Sequence, residues 1–419
     1  MPARPATGNG QNAAYESLSG LEIARWLPLP AAQQPKWDDP VQVARARAEL
    51  AEMPGLVGFD EVNRLRMLLA DVAYGRRQII QAGDCAEDPS ECAPDELMPK
   101  ISLLHQLATV MRWGTGLPVV HVGRFAGQFG KPRSTSVERL GDTEIPVFRG
   151  HAINSPQPEP GMRRPDPVRL LTCYHAAASA MTFLRNQPRD GGEPSVWTSH
   201  EALLLDYELP LLRRRLDGAL LLSSTHWPWV GDRTRQPDGA HVRLLASVAN
   251  PVACKVGPTT EVDELVALCA ILDPLREPGR LSLIARLGAE DVSSRLPDLV
   301  NAVRAAGHPA IWLCDPMHAN TVTTPAGRKT RYLERIVSEV RQFTAIVGAV
   351  GGIVGGLHLE ATPAPVTECV PNDQFVGRVD VCYTTACDPR LNPEQAVQVA
   401  AAWNAATARV SAQTPGRPE

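Results

Sequence analysis

Hydrophobic and polar positions repeat along the chain in a fixed order. A short apolar run ends in a polar or charged group, and a longer segment with helical spacing follows it. Short apolar runs predict buried strands, and apolar residues recurring every three or four positions predict helices. The clearest case is 311–320, where Ile-Trp-Leu-Cys gives way to Asp315, Pro316 and His318. Proline does not pair inside a central strand, so we expect the strand to end there.

The pattern predicts eight strands with helices between most of them. The strands are 78–81, 118–122, 195–198, 219–223, 252–254, 281–285, 310–313 and 356–359, and the intervening helices are 97–113, 167–185, 260–272, 291–306 and 329–347. Strands that alternate with helices pair in parallel. Eight such units predict an α/β fold of the (β/α)₈ TIM-barrel type with an N-terminal extension. An open doubly wound sheet is the alternative, but it concentrates its site at one strand-order reversal, whereas here nearly every strand ends in a polar group.

Outside the barrel pattern the chain is irregular. Residues 1–60 are predicted to form a tail, disordered to about residue 15, and an arm packed on the barrel. Residues 61–407 form the barrel domain, its last helix running from 394 to about 407, and 408–419 a flexible C-terminal tail. The segment 129–165 is rich in Gly, Pro and Arg, which indicates a long functional loop without regular structure.

Composition narrows the class of partner. The 419 residues are 44% hydrophobic, enough for a full core, and the net charge of -4 gives no general attraction to nucleic acid or anionic lipid. The longest uncharged apolar run, 343–357, is short for a bilayer span and is broken by glycines. Nine scattered cysteines without a CxxC pair, and a start without the apolar segment of a secretory signal, predict reduced thiols in the cytoplasm.

Four residues at strand ends or predicted turns form a candidate metal set: Cys85, His318, Glu360 and Asp388. One thiolate, one imidazole and two carboxylates suit a borderline divalent ion such as Mn²⁺, Co²⁺ or Zn²⁺, and the set can leave a coordination position open for substrate. Other histidines remain alternatives to His318, namely His200, His226, His241 and His358. His358 is the nearest rival, because residues two apart on a strand share a face and Glu360 is in the set.

Four basic residues follow predicted strands directly or within one loop: Arg124, Arg233, Lys255 and Arg286. A buried positive charge is costly unless an anion accompanies it, and the arginine fork matches carboxylates and phosphates. The set therefore predicts a substrate with several negative charges, such as a phosphorylated carboxylic acid. Lys131, Arg133 and Ser134 in the long loop either bind a second phosphate or form a solvated basic turn.

These residues lie in motifs that resemble the type II 3-deoxy-D-arabino-heptulosonate 7-phosphate (DAHP) synthases, the first enzymes of the shikimate pathway. The likeness runs from about residue 26 to residue 405. The motifs are Gln-Ala-Gly-Asp-Cys-Ala-Glu at 81–87, Val-Gly-Arg at 122–124, Lys-Pro-Arg-Ser at 131–134, Ser-His-Glu-Ala-Leu at 199–203, Arg-Thr-Arg-Gln at 233–236, Asp-Gly-Ala-His at 238–241, Lys-Val-Gly-Pro at 255–258, Cys-Asp-Pro-Met-His at 314–318, Gly-Gly-Leu-His-Leu-Glu at 355–360 and Thr-Ala-Cys-Asp-Pro-Arg-Leu-Asn at 385–392.

The resemblance implies a metal-dependent, aldol-like condensation of phosphoenolpyruvate with erythrose 4-phosphate and water, which gives DAHP and phosphate. It implies a divalent metal at the candidate metal set and phosphoenolpyruvate at the four strand-end cations. Glu201 is implied close to phosphoenolpyruvate, and the catalytic residues are then Lys255, Glu201 and Arg233. The loop residues Lys131, Arg133 and Ser134 are implied to bind erythrose 4-phosphate.

The chain departs from the family pattern at four motif positions. It has Ala82, Asp232, Ala319 and Thr384 where the family usually has Gly, Glu, Gly and Glu. Asp232 is one methylene shorter than glutamate beside the substrate-binding Arg233, so the acceptor aldehyde is left open. The alternatives are a modified acceptor, such as an amino-sugar phosphate, and a non-catalytic homologue.

The connection 185–199 is short for this family. Larger members carry extra helices there, which build an allosteric site for aromatic amino acids and a tetramer contact. The resemblance therefore implies a short form with weak or absent feedback inhibition. It also implies a homodimer that serves secondary metabolism.

Overall fold

The structure is a computed structural model that describes residues 15–140, 143–188 and 195–413. The described residues form fifteen strands and eleven α-helices. The strands are β1 Tyr15–Ser17, β2 Gln78–Gly83, β3 Val119–Arg124, β4 Val137–Leu140, β5 Thr143–Pro146, β6 Trp197–Glu201, β7 Leu212–Arg215, β8 Leu220–Leu222, β9 Trp227–Val230, β10 Val252–Val256, β11 Leu281–Ala285, β12 Ile311–Cys314, β13 Thr321–Thr323, β14 Lys329–Arg331 and β15 Ile353–Glu360. The helices are α1 Gly20–Ile23, α2 Pro40–Glu52, α3 Phe59–Ala73, α4 Pro94–Thr115, α5 Val168–Arg185, α6 Leu205–Glu208, α7 Ala240–Ser247, α8 Val262–Leu272, α9 Val292–Ala305, α10 Leu333–Ala349 and α11 Pro393–Gln413.

Eight parallel strands close into a barrel, as the strand and helix pattern predicts. Along the chain they are β2, β3, β6, β9, β10, β11, β12 and β15, and β15 pairs with β2 to complete the ring. A helix follows each barrel strand, from α4 after β2 to α11 after β15. The predicted (β/α)₈ fold is therefore confirmed. The carboxyl ends of all eight strands meet at one end of the barrel, which is where side chains from distant positions can converge.

The fourth predicted strand is wrong. The apolar run 219–223 contributes β8, which pairs antiparallel with β7 in a separate three-stranded sheet with β1. The fourth barrel strand is Trp227–Val230, whose register places Pro228 opposite His200 of β6. Proline usually argues against a central strand, so the sequence pattern favoured the neighbouring leucines. Tertiary packing decides otherwise, because Trp227 and Trp229 fill the barrel interior.

The lower part of the barrel interior is apolar and closed. Alternate residues of the strands point inward, and the buried cluster there includes Ile79, Val122, Ile284 and Leu313. Four residues of α3, namely Leu65, Leu68, Leu69 and Val72, belong to the same cluster. The helix α3 therefore plugs the amino-terminal end of the barrel. The polar side chains that line the cavity lie toward the opposite end.

Two sequence expectations are adjusted outside the barrel. The long loop 129–165 is not wholly irregular, because β4 and β5 form an antiparallel hairpin within it. The last helix, predicted to end near residue 407, continues to Gln413. The expected tails lie largely outside the described residues, since 1–14 and 414–419 are not described, and neither is 189–194 in the short connection. No helix within the described part of the chain has the length and hydropathy that a bilayer span requires.

Candidate active site

A cavity of about 200 Å³ opens at the carboxyl ends of the barrel strands. Residues two apart on a strand share a face, so the inward-facing side chains beyond the apolar layers line this cavity. The sequence-predicted residues that line it are Cys85, Arg124, Lys131, Arg133, Ser134, Glu201, Asp232, Arg233, Lys255, Arg286, His318 and Asp388. Glu360, the remaining predicted residue, is fully buried beside it and contacts His318 and Lys131. The fold thus brings the predicted metal and anion sets into one pocket.

The thiol and the two carboxylates of the candidate metal set form a compact cluster. Donor atoms of Cys85, Glu360 and Asp388 all lie within 4.8 Å of one another, and Cys85 Sγ is 3.5 Å from Asp388 Oδ2. Burial raises the pKa of both carboxyl groups, but neighbouring cations outweigh it and hold each pKa well below its usual range. Burial and a contact with Cys387 raise the pKa of the Cys85 thiol. A metal bound here would therefore displace the thiol proton.

His318 joins the cluster through Glu360. Its Nε2 lies 3.1 Å from Glu360 Oε1, and its Nδ1 lies 2.8 Å from Asp315 Oδ2. Burial raises the pKa of Asp315, but His318 and Lys255 hold it well below its usual range, so Asp315 is a carboxylate and His318 Nδ1 donates to it. Its Nε2 then faces the carboxylate oxygen of Glu360. That arrangement needs a proton or a metal cation between the two atoms.

The donor set fits a divalent metal. Cys85, His318, Glu360 and Asp388 offer sulfur, nitrogen and oxygen ligands, and Asp315 supplies the outer carboxylate that often orients a ligating histidine. The four side chains are mostly buried. Among the described residues, lysine and arginine side chains balance the negative charges of the two carboxylates. The four rival histidines are engaged elsewhere: His200 with Glu208, His226 with Thr198, His241 with Leu203 and His358 with Arg124 and Lys255.

Cations surround the rest of the cavity. Arg124 is 2% exposed, and its Nε has no hydrogen-bond partner among the residues that the structure describes. An unpaired buried guanidinium N–H is costly unless a ligand accepts from it. Lys255 donates to Asp315, and Arg286 Nη1 lies 2.8 Å from Asp232 Oδ2. Arg233 lines the mouth and is exposed.

Glu201 is an unusual acid in this cationic ring. Its Oε1 has no hydrogen-bond partner among the described residues, and burial raises its pKa although Lys255 and other cations oppose the shift. Gly231 on the neighbouring strand loop leaves space for this side chain, because a Cβ there would lie 2.0 Å from Glu201 Oε1 and would displace the carboxyl group. The carboxyl group is therefore held in the cavity wall and remains available to a ligand.

A buried carboxylate shapes the loop that carries Lys131. Glu87 accepts hydrogen bonds from the backbone amides of Ala126, Gly127 and Gln128 at 2.7–2.8 Å. These amides begin two residues after Arg124, the last residue of β3. The hydrogen bonds therefore fix the path of the loop that follows the strand. The ammonium of Lys131 consequently reaches the acidic cluster, which is the group formed by Cys85, Glu360 and Asp388. There it lies 2.8 Å from Asp388 Oδ2 and also contacts Cys85 Sγ.

A second buried carboxyl group ties two further loops together. Glu339 of α10 accepts from the backbone amides of Leu287 and Gly288, which follow Arg286, and from the side chain of Asn320, two residues after His318. Burial raises the pKa of Glu339 to about 8. The loops after β11 and β12 are therefore anchored to one side chain.

Asp388 is placed by a third network beyond β15. Glu368 accepts from the backbone amide and the guanidinium of Arg390, and Arg390 also pairs with Asp84 at 2.8 Å. Thr384 and Thr385 donate their amides to the same Glu368 carboxylate. This network gives the irregular chain around Asp388 a defined path.

Sequence reasoning missed several side chains at the cavity. Arg331 Nη1 lies 2.8 Å from Glu360 Oε2, and Lys329 Nζ lies 2.8 Å from Asp388 Oδ1. Both belong to β14, where residues two apart share a face, but the strand was assigned to a helix start. Asp315 was also missed, although its spacing of three from His318 could have indicated the contact.

The chain is similar to known proteins over most of its length. The model of the class-II DAHP synthetase family matches residues 21–194 and 186–403. A probable phospho-2-dehydro-3-deoxyheptonate aldolase of Pseudomonas fluorescens is 50% identical over 388 residues, covering 91% of this chain and 97% of that protein. A phospho-2-dehydro-3-deoxyheptonate aldolase of Mycolicibacterium smegmatis is 38% identical over 430 residues, covering 89% and 92%.

A solved structure of the same named activity shares the fold. The phospho-2-dehydro-3-deoxyheptonate aldolase of Francisella tularensis superposes with a TM-score of 0.54 at 14% identity, covering 87% of this chain and 96% of that one. At that identity the likeness concerns the barrel alone. The family match and the two relatives cover most of this chain, and so the chain belongs to the class-II DAHP synthase family.

Proposed function

We propose that this chain is a DAHP synthase that condenses phosphoenolpyruvate with erythrose 4-phosphate and water, releasing phosphate, in the route to aromatic compounds. The observation that carries the proposal is a single cavity in which the thiol, imidazole and carboxylate cluster adjoins buried, incompletely paired cations. The names of the relatives agree with this reaction.

The cations of the chain would hold phosphoenolpyruvate. Arg124 and Lys255 lie on two strands and Arg286 directly follows a third, and all three converge on one volume, with Arg233 at the mouth. Together they favour the carboxylate and phosphate charges and the negative charge that develops during reaction. Holding two anionic substrates side by side, against their repulsion in water, is a main contribution of such a site.

Cys85, His318, Glu360 and Asp388 would hold the divalent metal, with Mn²⁺, Co²⁺ and Zn²⁺ as the candidates. When bound there, the metal supplies Lewis-acid polarisation of the acceptor carbonyl. Glu201, with its raised pKa and free oxygen, is placed to exchange a proton with water or substrate. Arg133 and Ser134 line the outer part of the cavity, where the acceptor phosphate would bind.

The identity of the acceptor aldehyde is the most specific part of the proposal. Asp232 lies between Arg286 and Arg235 at 2.8 and 3.1 Å. Its short side chain leaves room near the cations that a glutamate would fill. Replacement Asp232→Glu therefore tests whether this position sets acceptor choice, by comparing turnover of erythrose 4-phosphate with turnover of the corresponding amino-sugar phosphate.

We further propose that this is the short form of the family, a homodimer in the cytoplasm with weak feedback inhibition and a role in secondary metabolism. The alignment with the mycobacterial relative spans 430 positions, although it covers only 89% of this 419-residue chain. The additional positions indicate segments inserted in that relative. The alignment with the Pseudomonas relative needs only 388. The two parts of the family match meet at 186–194, at the short connection.

The decisive experiment incubates the purified protein with both substrates and Mn²⁺, Co²⁺ or Zn²⁺, with and without a chelator. We expect release of phosphate and formation of a seven-carbon product, both abolished by the chelator and by Cys85→Ser. Surface variant Glu334→Gln is the matched control and should keep full activity. Absence of phosphate release with every metal would refute the proposed reaction, and release that survives the chelator would refute the metal requirement.

Addition of Phe, Tyr or Trp to the same assay tests feedback inhibition, and light scattering tests whether the protein is a dimer.

A further inference from the structure

A chain of buried hydrogen bonds crosses the barrel interior beneath the cavity. Ser199 Oγ donates to the carbonyl of Gly123 at 3.1 Å, and Gln81 Nε2 lies 2.9 Å from the same Oγ. A hydroxyl has one proton, so Ser199, having given it to Gly123, must accept from the amide nitrogen of Gln81. The orientation of the Gln81 amide is thereby fixed, with Oε1 turned toward His358.

The next link fixes the tautomer of His358. Its Nδ1 lies 2.6 Å from Gln81 Oε1, an acceptor, so Nδ1 carries the proton. The other ring nitrogen then bears a lone pair. Two donors share that one lone pair, Arg124 Nη1 at 2.8 Å and Lys255 Nζ at 3.0 Å. Flipping the Gln81 amide would instead place a protonated Nε2 against two cationic donors.

We propose that His358 is a positioning residue that acts as a neutral acceptor for Arg124 and Lys255 and so sets their geometry for an anionic substrate. The inference rests on the proposed function only in naming that substrate as phosphoenolpyruvate. His358 is fully buried and has the edge of Trp229 against it at 5.4 Å between ring centroids. It does not itself line the cavity, whereas its hydrogen-bond partners Arg124 and Lys255 do.

The geometry of each cation shows what this acceptor accomplishes. Lys255 gives one N–H to Asp315 and one to His358, which leaves its third N–H for the cavity. Arg124 gives Nη1 to His358, directs Nη2 at Glu360 at 3.3 Å and keeps an Nε that has no partner among the described residues. A neutral acceptor holds two like charges close together without adding a third charge or cancelling either one. A carboxylate in its place would neutralise the site.

Two amide substitutions separate the two ends of the imidazole. Glutamine places its carboxamide where Nε2 lies, so His358→Gln keeps an acceptor for the cations. Asparagine ends near Nδ1, so His358→Asn keeps the link to Gln81 but leaves the cations without their acceptor. His226→Asn is the matched control, because His226 is equally buried but hydrogen-bonds to Thr198 at the opposite end of the barrel.

The binding test measures phosphoenolpyruvate affinity of the Zn²⁺-loaded full chain by calorimetry, without acceptor so that no turnover occurs. We expect His358→Asn to weaken affinity about 10- to 100-fold, in line with the loss of a hydrogen bond to a charged group, and His358→Gln to recover most of it. In steady state the loss should fall mainly on KM. Equal losses in both variants, or none in His358→Asn, would overturn the inference.

A second readout does not depend on function. In ¹⁵N-histidine-labelled protein, the His358 ring, assigned by its disappearance in the asparagine variant, should show a protonated Nδ1 and an unprotonated Nε2. A protonated Nε2 would overturn the inference whatever the substrate. If the wild type shows the expected tautomer but does not bind phosphoenolpyruvate, the proposed function fails and the structural assignment of His358 stands.

Discussion

Lys131 Nζ lies 2.8 Å from Asp388 Oδ2, so a cation of the chain sits directly on a proposed metal ligand. The same ammonium contacts Cys85 Sγ and lies 3.6 Å from Glu360 Oε1. Like charges at such distances repel strongly in a buried site. A metal bound at this site and Lys131 would therefore share or compete for one set of donors.

Replacement Lys131→Met should tighten binding of Zn²⁺ or Co²⁺ by about tenfold or more, because a competing positive charge is removed from the donors. Titration against a chelator measures this. Lys329→Met is the control: Lys329 touches the same Asp388 carboxylate but is 45% exposed, so solvent screens it and metal affinity should change little. Weaker metal binding in Lys131→Met would instead mean that Lys131 assists the metal by favouring the thiolate.

Asp315 links the two halves of the site. Its buried carboxylate pairs with His318, a proposed metal ligand, and with Lys255, a proposed anion-binding residue. In Asp315→Asn we expect metal affinity to fall about 10- to 100-fold, as for other outer partners of ligating histidines, together with a higher KM for phosphoenolpyruvate. The surface variant Asp380→Asn should alter neither. If only one of the two quantities changes, the carboxylate does not couple the two sides.

Glu339 should be a structural anchor of the site. Glu339→Ala leaves the amides of Leu287 and Gly288 and the side chain of Asn320 without their acceptor, so we expect a loss of roughly 3 kcal/mol or more in the free energy of unfolding. Urea denaturation measures this. Glu334→Ala, at the exposed start of the same helix, should cost little. A small effect of Glu339→Ala would show that the loops hold themselves.

His226 should make stability depend on pH. Burial lowers its pKa from 6.5 to about 4, although Glu61, 4.0 Å away, opposes the shift, and Arg185 adds to it. Between pH 6.5 and 4 the unfolded chain binds a proton that the folded chain does not. Stability is therefore complete above pH 6.5 and falls as the pH drops toward 4, by roughly 3 kcal/mol from this group.

Thermal unfolding at several pH values tests the effect of His226. His226→Asn retains an oxygen that can accept from the amide of Thr198 but does not titrate, so the slope between pH 6.5 and 4 should become shallower. The comparison uses the slope, since the smaller side chain lowers stability at every pH. An unchanged slope would assign the acid sensitivity to other groups.

The sequence by itself determined the barrel fold and most of the polar residues at its strand ends. Strand and helix periods are local properties, so seven of the eight barrel strands and the polar group at each strand end could be assigned from the pattern. The motifs fixed the family because long runs such as 81–87 and 355–360 carry several specific residues together. The end of β12 before Pro316 was also predicted, since proline acts locally.

Only the tertiary structure decided how these residues meet. Pro228 lies in a barrel strand because two tryptophans fill the interior, which outweighs the local preference against proline. Lys131 enters the acidic cluster, and His358 serves two cations, through contacts across strands that are far apart in the chain. Such contacts depend on barrel closure and register, and these are set by the packing of the whole interior, which no local spacing specifies.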